Sequence, residues 1–244
     1  MERLQRPSYI NAYRRIVDIL RQEGVSNVAY VWQSCTSPID DILDGGRENL
    51  LNYYPGDDYV DWFGMSWFLR PNETATVNNN TPSTQLFLAN ELVSLARERG
   101  KAVMIAEAAN QGYDNQQLTN SNISSVWDGA AAQGTVSKSG SQIWNEWFTS
   151  YFNFINDNDD VIKAITYINA DWDSQGLWDA PYEQGYWGDT RIQVNSTLEN
   201  NWVNQITQTG WIHGSSNLNS VLGLSSKQSS NVNDLSSNKI LAYP

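Results

Sequence analysis

Lys101-Ala102-Val103-Met104-Ile105-Ala106-Glu107-Ala108-Ala109 is the stretch that decides the fold. It is a short apolar run ending in one carboxylate, with a helical pattern before it and another after it. Apolar runs of this length, bounded by turn signals, read as buried strands. In alternating β/α barrels the C-terminal strand ends form the catalytic face, so Glu107 is a candidate catalytic group. The competing reading is a Glu that caps the following segment or pairs with an arginine.

The same alternation extends in both directions. Upstream, Ile10, Tyr13, Ile16, Val17 and Leu20 recur at helical spacing until Gly24 stops the run, which predicts a helix over 10–23. A strand over 28–32 follows. Tyr53-Tyr54-Pro55-Gly56-Asp57-Asp58 reads as a turn before a second strand at 60–66. A loop rich in Asn and Thr at 72–83 leads to an amphipathic helix over 84–99, ended by Gly100. The third strand is 102–106. After a long loop, Ile143, Trp144, Trp147, Phe148, Tyr151, Phe152 and Ile155 give a helix over 142–156 a wide apolar face. A fourth strand at 161–169 and a last helix at 197–208 complete the series. Such alternation implies an α/β fold of parallel strands joined by right-handed crossovers. Four strands make half of an eight-stranded barrel, or a small open sheet. The expected organisation is a barrel-type domain over 1–213, a Ser/Asn-rich linker over 214–238 and a separate terminal piece over 239–244.

Composition narrows the function. The formal charge is −12 and the pI near 4.4, which argues against nucleic acid as a partner. Eleven Trp and twelve Tyr are too many for a disordered chain, and such rings serve both sugar-binding clefts and ordinary cores. One cysteine, Cys35, excludes an internal disulfide and any multi-Cys metal site. The one histidine, His213, reads as a surface residue, which leaves little for a His-dependent triad or zinc centre. No metal or cofactor is expected. No uninterrupted apolar stretch is long enough to span a membrane, and Met1-Glu-Arg-Leu-Gln-Arg-Pro7 is no signal peptide.

Several segments resemble the C-terminal half of glycoside hydrolase family 26, a family of retaining (β/α)8 enzymes. They are Tyr13-Arg14-Arg15, Asn27-Val-Ala-Tyr-Val-Trp32-Gln33-Ser34, Tyr54-Pro55-Gly56-Asp57-Asp58-Tyr59-Val60-Asp61, Ile105-Ala106-Glu107 and Tyr167-Ile-Asn169-Ala-Asp171-Trp172, in that order. The run from Tyr54 to Asp61 is the most specific. The resemblance implies a TIM-type barrel truncated to its C-terminal half, the four strands being the fifth to eighth. It also implies mannanase-like, endo-acting hydrolysis of a β-linked polysaccharide. Glu107 then maps onto the nucleophile at the end of the seventh strand.

The family's acid/base Glu ends the fourth strand, which would lie upstream of Met1. Trp144-Asn145-Glu146-Trp147 falls inside a helical pattern, so Glu146 reads as a solvated helix residue. The family tends to carry a Tyr near the end of the sixth strand whose hydroxyl steadies the nucleophile; Phe68 stands there instead. Either Trp67 reshapes the subsite, or the register is off by one. Trp32, Gln33, Trp67, Tyr113, Asp171 and Trp172 are the expected sugar contacts, with packing under the loops as the alternative for the rings. Trp178, Tyr186 and Trp187 could line the cleft or anchor their loop. Arg191 reads as an ion-pair partner and Cys35 as a buried loop residue. Ser237-Asn-Lys239-Ile-Leu-Ala-Tyr243-Pro244 resembles the opening of a type IX secretion sorting domain, which would place the parent protein outside the cell or on its surface. The alternatives to an enzyme are a carbohydrate-binding module without turnover and an inactive fragment.

Overall fold

A computed structural model describes residues 6–34, 51–70, 74–75, 83–121, 135–176, 187–213 and 239–242. Helix α1 (Arg6–Gln22) ends at Gly24, whose φ of 75° few other residues adopt. The Gly24 amide donates to the Arg21 carbonyl and the Val25 amide to that of Leu20, the Schellman pattern that satisfies a helix end. Strands β1 (Val31–Ser34) and β2 (Trp62–Trp67) follow. The short β3 (Thr74–Ala75) and β4 (Ser83–Thr84) pair with each other and lead into α2 (Gln85–Glu98). Thr84 caps α2 by accepting from the Phe87 amide, and Gly100 closes it with a second Schellman pattern.

Strand β5 (Ala102–Ala108) carries the opening stretch. What reads as a long loop is in part a small antiparallel sheet of β6 (Tyr113–Asp114), β7 (Thr119–Ser121) and β8 (Thr135–Ser137). Helix α3 spans 140–157 in three pieces: Gly140–Ile143, a π turn at Trp144–Phe148, and Thr149–Asp157. It starts in a capping box between Ser139 and Gln142. Strand β9 (Ile162–Thr166), helix α4 (Ser196–Ile206), β10 (Trp211–His213) and β11 (Lys239–Ala242) complete the order.

The main sheet has six strands in the order β1-β2-β5-β9-β11-β10, and every pairing in it is parallel. The four strands expected from sequence are neighbours in chain order. The sheet has two strands beyond the four expected, and Lys239–Ala242, expected in a separate terminal piece, is one of them. Lys239 leads three apolar residues, Ile240-Leu241-Ala242, and the run inserts between β9 and β10. The linker expected at 214–238 lies outside the described residues.

One sheet face carries Trp32, Phe63, Met65, Trp67, Val103, Ile105 and Ala108, all buried. Helices α2, α3 and α4 add Leu92, Val93, Trp147, Tyr151, Phe152, Leu198 and Trp202 to the same core. Edge-to-face and tilted ring pairs link strand to helix, such as Trp67 with Tyr151 at 6.1 Å and with Phe154 at 4.8 Å. The opposite face carries Gln33, Gly64, Ser66 and Glu107, and the site is built on it.

Candidate active site

Strand alternation alone would not expose Glu107. Val103 and Ile105 are buried on the helix-covered face, and a regular strand would send residue 107 the same way. The β2–β5 register shows why it does not. Met65 lies beside Ile105, but Ser66 lies beside Glu107, so Ala106 is an extra residue in the ladder. This bulge swings Glu107 onto the face of Ser66, Gly64 and Gln33. The Thr166 hydroxyl, from β9, hydrogen-bonds the Ala106 carbonyl and so occupies an acceptor at the bulge.

On its new face Glu107 is exposed, and one of its oxygens is held twice. The Ser66 hydroxyl donates to Oε2 at 2.9 Å, and the Gln33 side-chain amide donates to the same oxygen at 2.9 Å. Gln33 also donates to Ser66 Oγ at 3.0 Å, closing a triangle. Among the described residues no donor is recorded on Oε1. An exposed carboxylate fixed through one oxygen presents the other to a nearby electrophilic carbon, the arrangement of a carboxylate nucleophile.

The other expected site residues divide into two groups. Trp32 and Trp67 are 2% and 0% exposed. Trp32 packs edge-on against Tyr54 and Phe63, and Trp67 against α3, because both sit on the helix-covered face. Neither offers a ring face to a sugar. Tyr113 is also buried, its hydroxyl donating to Glu146 Oε2 at 2.8 Å. These three expectations are corrected by burial. Phe68, by contrast, is only partly buried and stands edge-on to Trp187 at 5.0 Å; the hydroxyl on Glu107 comes from Ser66 instead.

Asp171 and Trp172 follow β9, and their contacts run to residues 187–191. Arg191 lies 2.6 Å from Asp189 and 3.3 Å from Asp171, so it is an ion-pair partner as the sequence suggests. Trp172 donates to Thr190 Oγ1 at 3.0 Å, and its ring lies tilted on Trp187 at 4.7 Å. Trp187 is buried, whereas Trp172 and Asp171 keep part of their surface exposed. Cys35, Trp178 and Tyr186 lie outside the described residues. His213 is exposed, with Nε2 2.9 Å from the Ile206 carbonyl.

Glu146 is not a freely solvated helix residue. It lies in the π turn of α3 and accepts from Tyr113 and, at 2.6 Å, from Lys138. Burial pushes its carboxyl upward, but the bonds from Lys138 and Tyr113, with the charges of Lys138 and Arg70, outweigh that and hold it below the usual range. A carboxyl kept ionised in this way is a poor proton donor. Asp173 shows the opposite behaviour. Partial burial of its carboxyl, on a residue that keeps an exposed surface, and the negative charges of Asp114, Asp171 and Asp189 push it up to about 6, against a donation from the Gly188 amide. Among the described residues, no group of three or more His, Cys, Asp and Glu side chains could hold a metal ion, and no helix is long and apolar enough to cross a membrane.

Ser66, Gly64 and Thr166 had no part in the expected site. Their signal is the spacing Gly64-x-Ser66 on the strand beside Gln33, which becomes legible only once the register is known.

Comparison with known proteins places the chain among relatives of one family. A beta-1,3-xylanase from an Alcaligenes species is 38% identical over 217 residues, covering 88% of this chain and 41% of the relative. A beta-1,3-xylanase from a Vibrio species is 34% identical over 221 residues, covering 90% of this chain and 44% of the relative. The chain thus spans less than half the length of either curated relative. Among solved structures, a Cellulomonas fimi endo-beta-1,4-mannanase double mutant superposes with a TM-score of 0.50 at 20% identity, over 84% of this chain and 36% of that one; this similarity bears on the fold alone. The family model for glycosyl hydrolase family 26 matches residues 3–149, more than half of the sequence, and the chain belongs to that family.

Proposed function

We propose that this chain supplies the nucleophile, Glu107, for cleavage of a β-linked polysaccharide with retention of configuration, and that the polysaccharide is a β-1,3-xylan. The observation that carries the reading is the exposed carboxylate at the end of β5, held through Oε2 by Ser66 and Gln33. In the first step Glu107 Oε1 bonds to the anomeric carbon as the glycosidic carbon–oxygen bond breaks. The departing oxygen takes a proton from a second carboxylic acid, which retaining enzymes place about 5–5.5 Å from the nucleophile. In the second step that group, now a base, takes a proton from water, which displaces Glu107 from the sugar. Glu146, held ionised beside Lys138, does not suit that part. The acid is proposed to lie in a stretch that the longer relatives have and this chain does not span.

Xylan is favoured over mannan because the two relatives at 38% and 34% identity are both named as beta-1,3-xylanases. Trp172 and Asp171, with surface still exposed, are the proposed sugar contacts, whereas the buried Trp32, Trp67 and Tyr113 are not. The site of action is proposed to lie outside the cell, where a polymeric substrate would be met.

A 2,4-dinitrophenyl leaving group departs without protonation, so an aryl glycoside tests the nucleophile without its acid partner. Dinitrophenolate release from the β-1,3-xylobioside is expected to exceed that from the β-1,4-mannobioside. Glu107→Gln should lower it on the order of 10³-fold or more. Faster release from the mannobioside would overturn the substrate assignment. Binding of both glycosides without release would favour a carbohydrate-binding module.

A further inference from the structure

Gln33 makes a longer reach than its position suggests. It lies on β1 and Glu107 on β5, with β2 between them. Two strand spacings amount to roughly 9–10 Å. The side chain therefore has to cross β2, and the residue beside Gln33 on that strand is Gly64. A Cβ at position 64 would lie 2.9 Å from Gln33 Cβ and 3.0 Å from both Gln33 Cα and Val31 Cγ1, closer than such atoms pack. The backbone at Gly64 is not left-handed, so its lack of a side chain answers this close approach and not a turn. Next on the same face is Ser66, whose hydroxyl accepts a hydrogen bond from the Gln33 amide and donates one to Glu107 Oε2. Gly64, Ser66 and Gln33 thus form one lane across the sheet, ending on one carboxylate oxygen.

We infer that Gln33 and Ser66 are positioning residues for the glycosylation step, that Gly64 holds the lane open for Gln33, and that Oε1 of Glu107 is therefore the attacking oxygen. The inference rests on Glu107 being the nucleophile. Both donors are neutral, so they fix the carboxylate without the strong charge pairing that a lysine or arginine would impose on it. Fixing one oxygen through two bonds restricts rotation of the carboxylate and keeps the other oxygen aimed at the sugar, an orientational contribution to rate.

The test is the rate of covalent labelling by 2,4-dinitrophenyl 2-deoxy-2-fluoro-β-1,3-xylobioside, resolved into a maximal rate constant and a half-saturating concentration. Ser66→Ala and Gln33→Met should each lower the maximal rate on the order of ten-fold, as expected for losing a hydrogen bond to a charged group, and leave half-saturation unchanged. Gly64→Ala should reproduce the Gln33→Met loss although residue 64 touches neither sugar nor Glu107. Ser66→Thr, which keeps the hydroxyl, should retain more of the rate than Ser66→Ala. Gln33 is exposed, so its variant tests the inference even where a change at the buried Ser66 unfolds the chain. If the unsubstituted protein labels at Glu107 but the variants react at its maximal rate, or lose only half-saturation, the inference is overturned and the nucleophile reading stands. If the unsubstituted protein labels elsewhere or not at all, both fall.

Discussion

A carboxylate attacks through one oxygen at a time, and at Glu107 the two oxygens are treated differently. Among the described residues Oε2 takes the hydrogen bonds of both Ser66 and Gln33. The sequence alone marks Glu107 as a carboxylate after an apolar strand, because that pattern is local. It does not disclose Ser66 or Gln33, because their role depends on which residues stand side by side in strands far apart in the chain. Trp67 shows the converse error: its place at a strand end suits a sugar platform, yet alternation turns it under α3. Asp173 supports a prediction at the same scale. Partial desolvation and its acidic neighbours push its carboxyl up to about 6 in the folded protein, above its ordinary value. The native state therefore binds more protons than the unfolded state between about pH 4 and pH 6, and stability falls as pH rises through that window. Asp173→Asn should flatten this part of the stability–pH curve, measured by thermal unfolding at several pH values. An unchanged slope would show that neither desolvation nor the acidic neighbours raise the carboxyl of residue 173.

At the scale of elements, the bulge at Ala106 matters most. Helix ends are readable from sequence because a glycine of positive φ closes α1 at Gly24 and α2 at Gly100. A bulge carries no such residue signature here: Ile105-Ala106-Glu107 is an ordinary strand sequence, and the extra residue shows only in the ladder. The π turn of α3 is similarly hidden within an apolar helical pattern. It gives Glu146 to Tyr113 and the Trp147 indole to the Phe68 carbonyl, so α3 grips both the end of β2 and the segment after β5. Thr166 is expected to stabilise the bulge through the Ala106 carbonyl. Thr166→Val keeps the shape and removes the hydroxyl. It should cost about 1–2 kcal/mol in denaturant unfolding and also slow labelling of Glu107. Loss of stability with full labelling rate would mean that the bulge keeps its aim without Thr166.

Across the whole molecule, the residues that make the family most recognisable lie far from the chemistry. Tyr54 to Asp61 precede β2, at the N-terminal edge of the parallel sheet, whereas Glu107 is at the C-terminal edge. The segment is a clamp. Arg14 donates to the Pro55 carbonyl at 2.7 Å and sits over the Tyr59 ring; Arg21 donates to the Asp58 carbonyl; Arg99 pairs with Asp57 at 2.9 Å. Gly56, at φ 107°, would place a Cβ 3.4 Å from the Arg14 guanidinium. Such a motif is legible because many partners constrain it at once, and it fixes α1 and α2 against the sheet. Arg14→Met should therefore lower stability by about 2 kcal/mol, from a charge-assisted hydrogen bond and a cation–π contact, and leave the labelling rate of Glu107 unchanged. The strand insertion of Lys239–Ala242 was illegible for the opposite reason: a lysine and three apolar residues fit several contexts, and only the position between β9 and β10 chooses one.

The central claim is that Glu107 forms the covalent bond to sugar. Its most direct test is peptide mass mapping after labelling with the 2-fluoro xylobioside. One added fluoroxylobiosyl group is expected on the peptide containing Glu107, absent from Glu107→Gln. A label on any other carboxylate, or one that persists in Glu107→Gln, would contradict it.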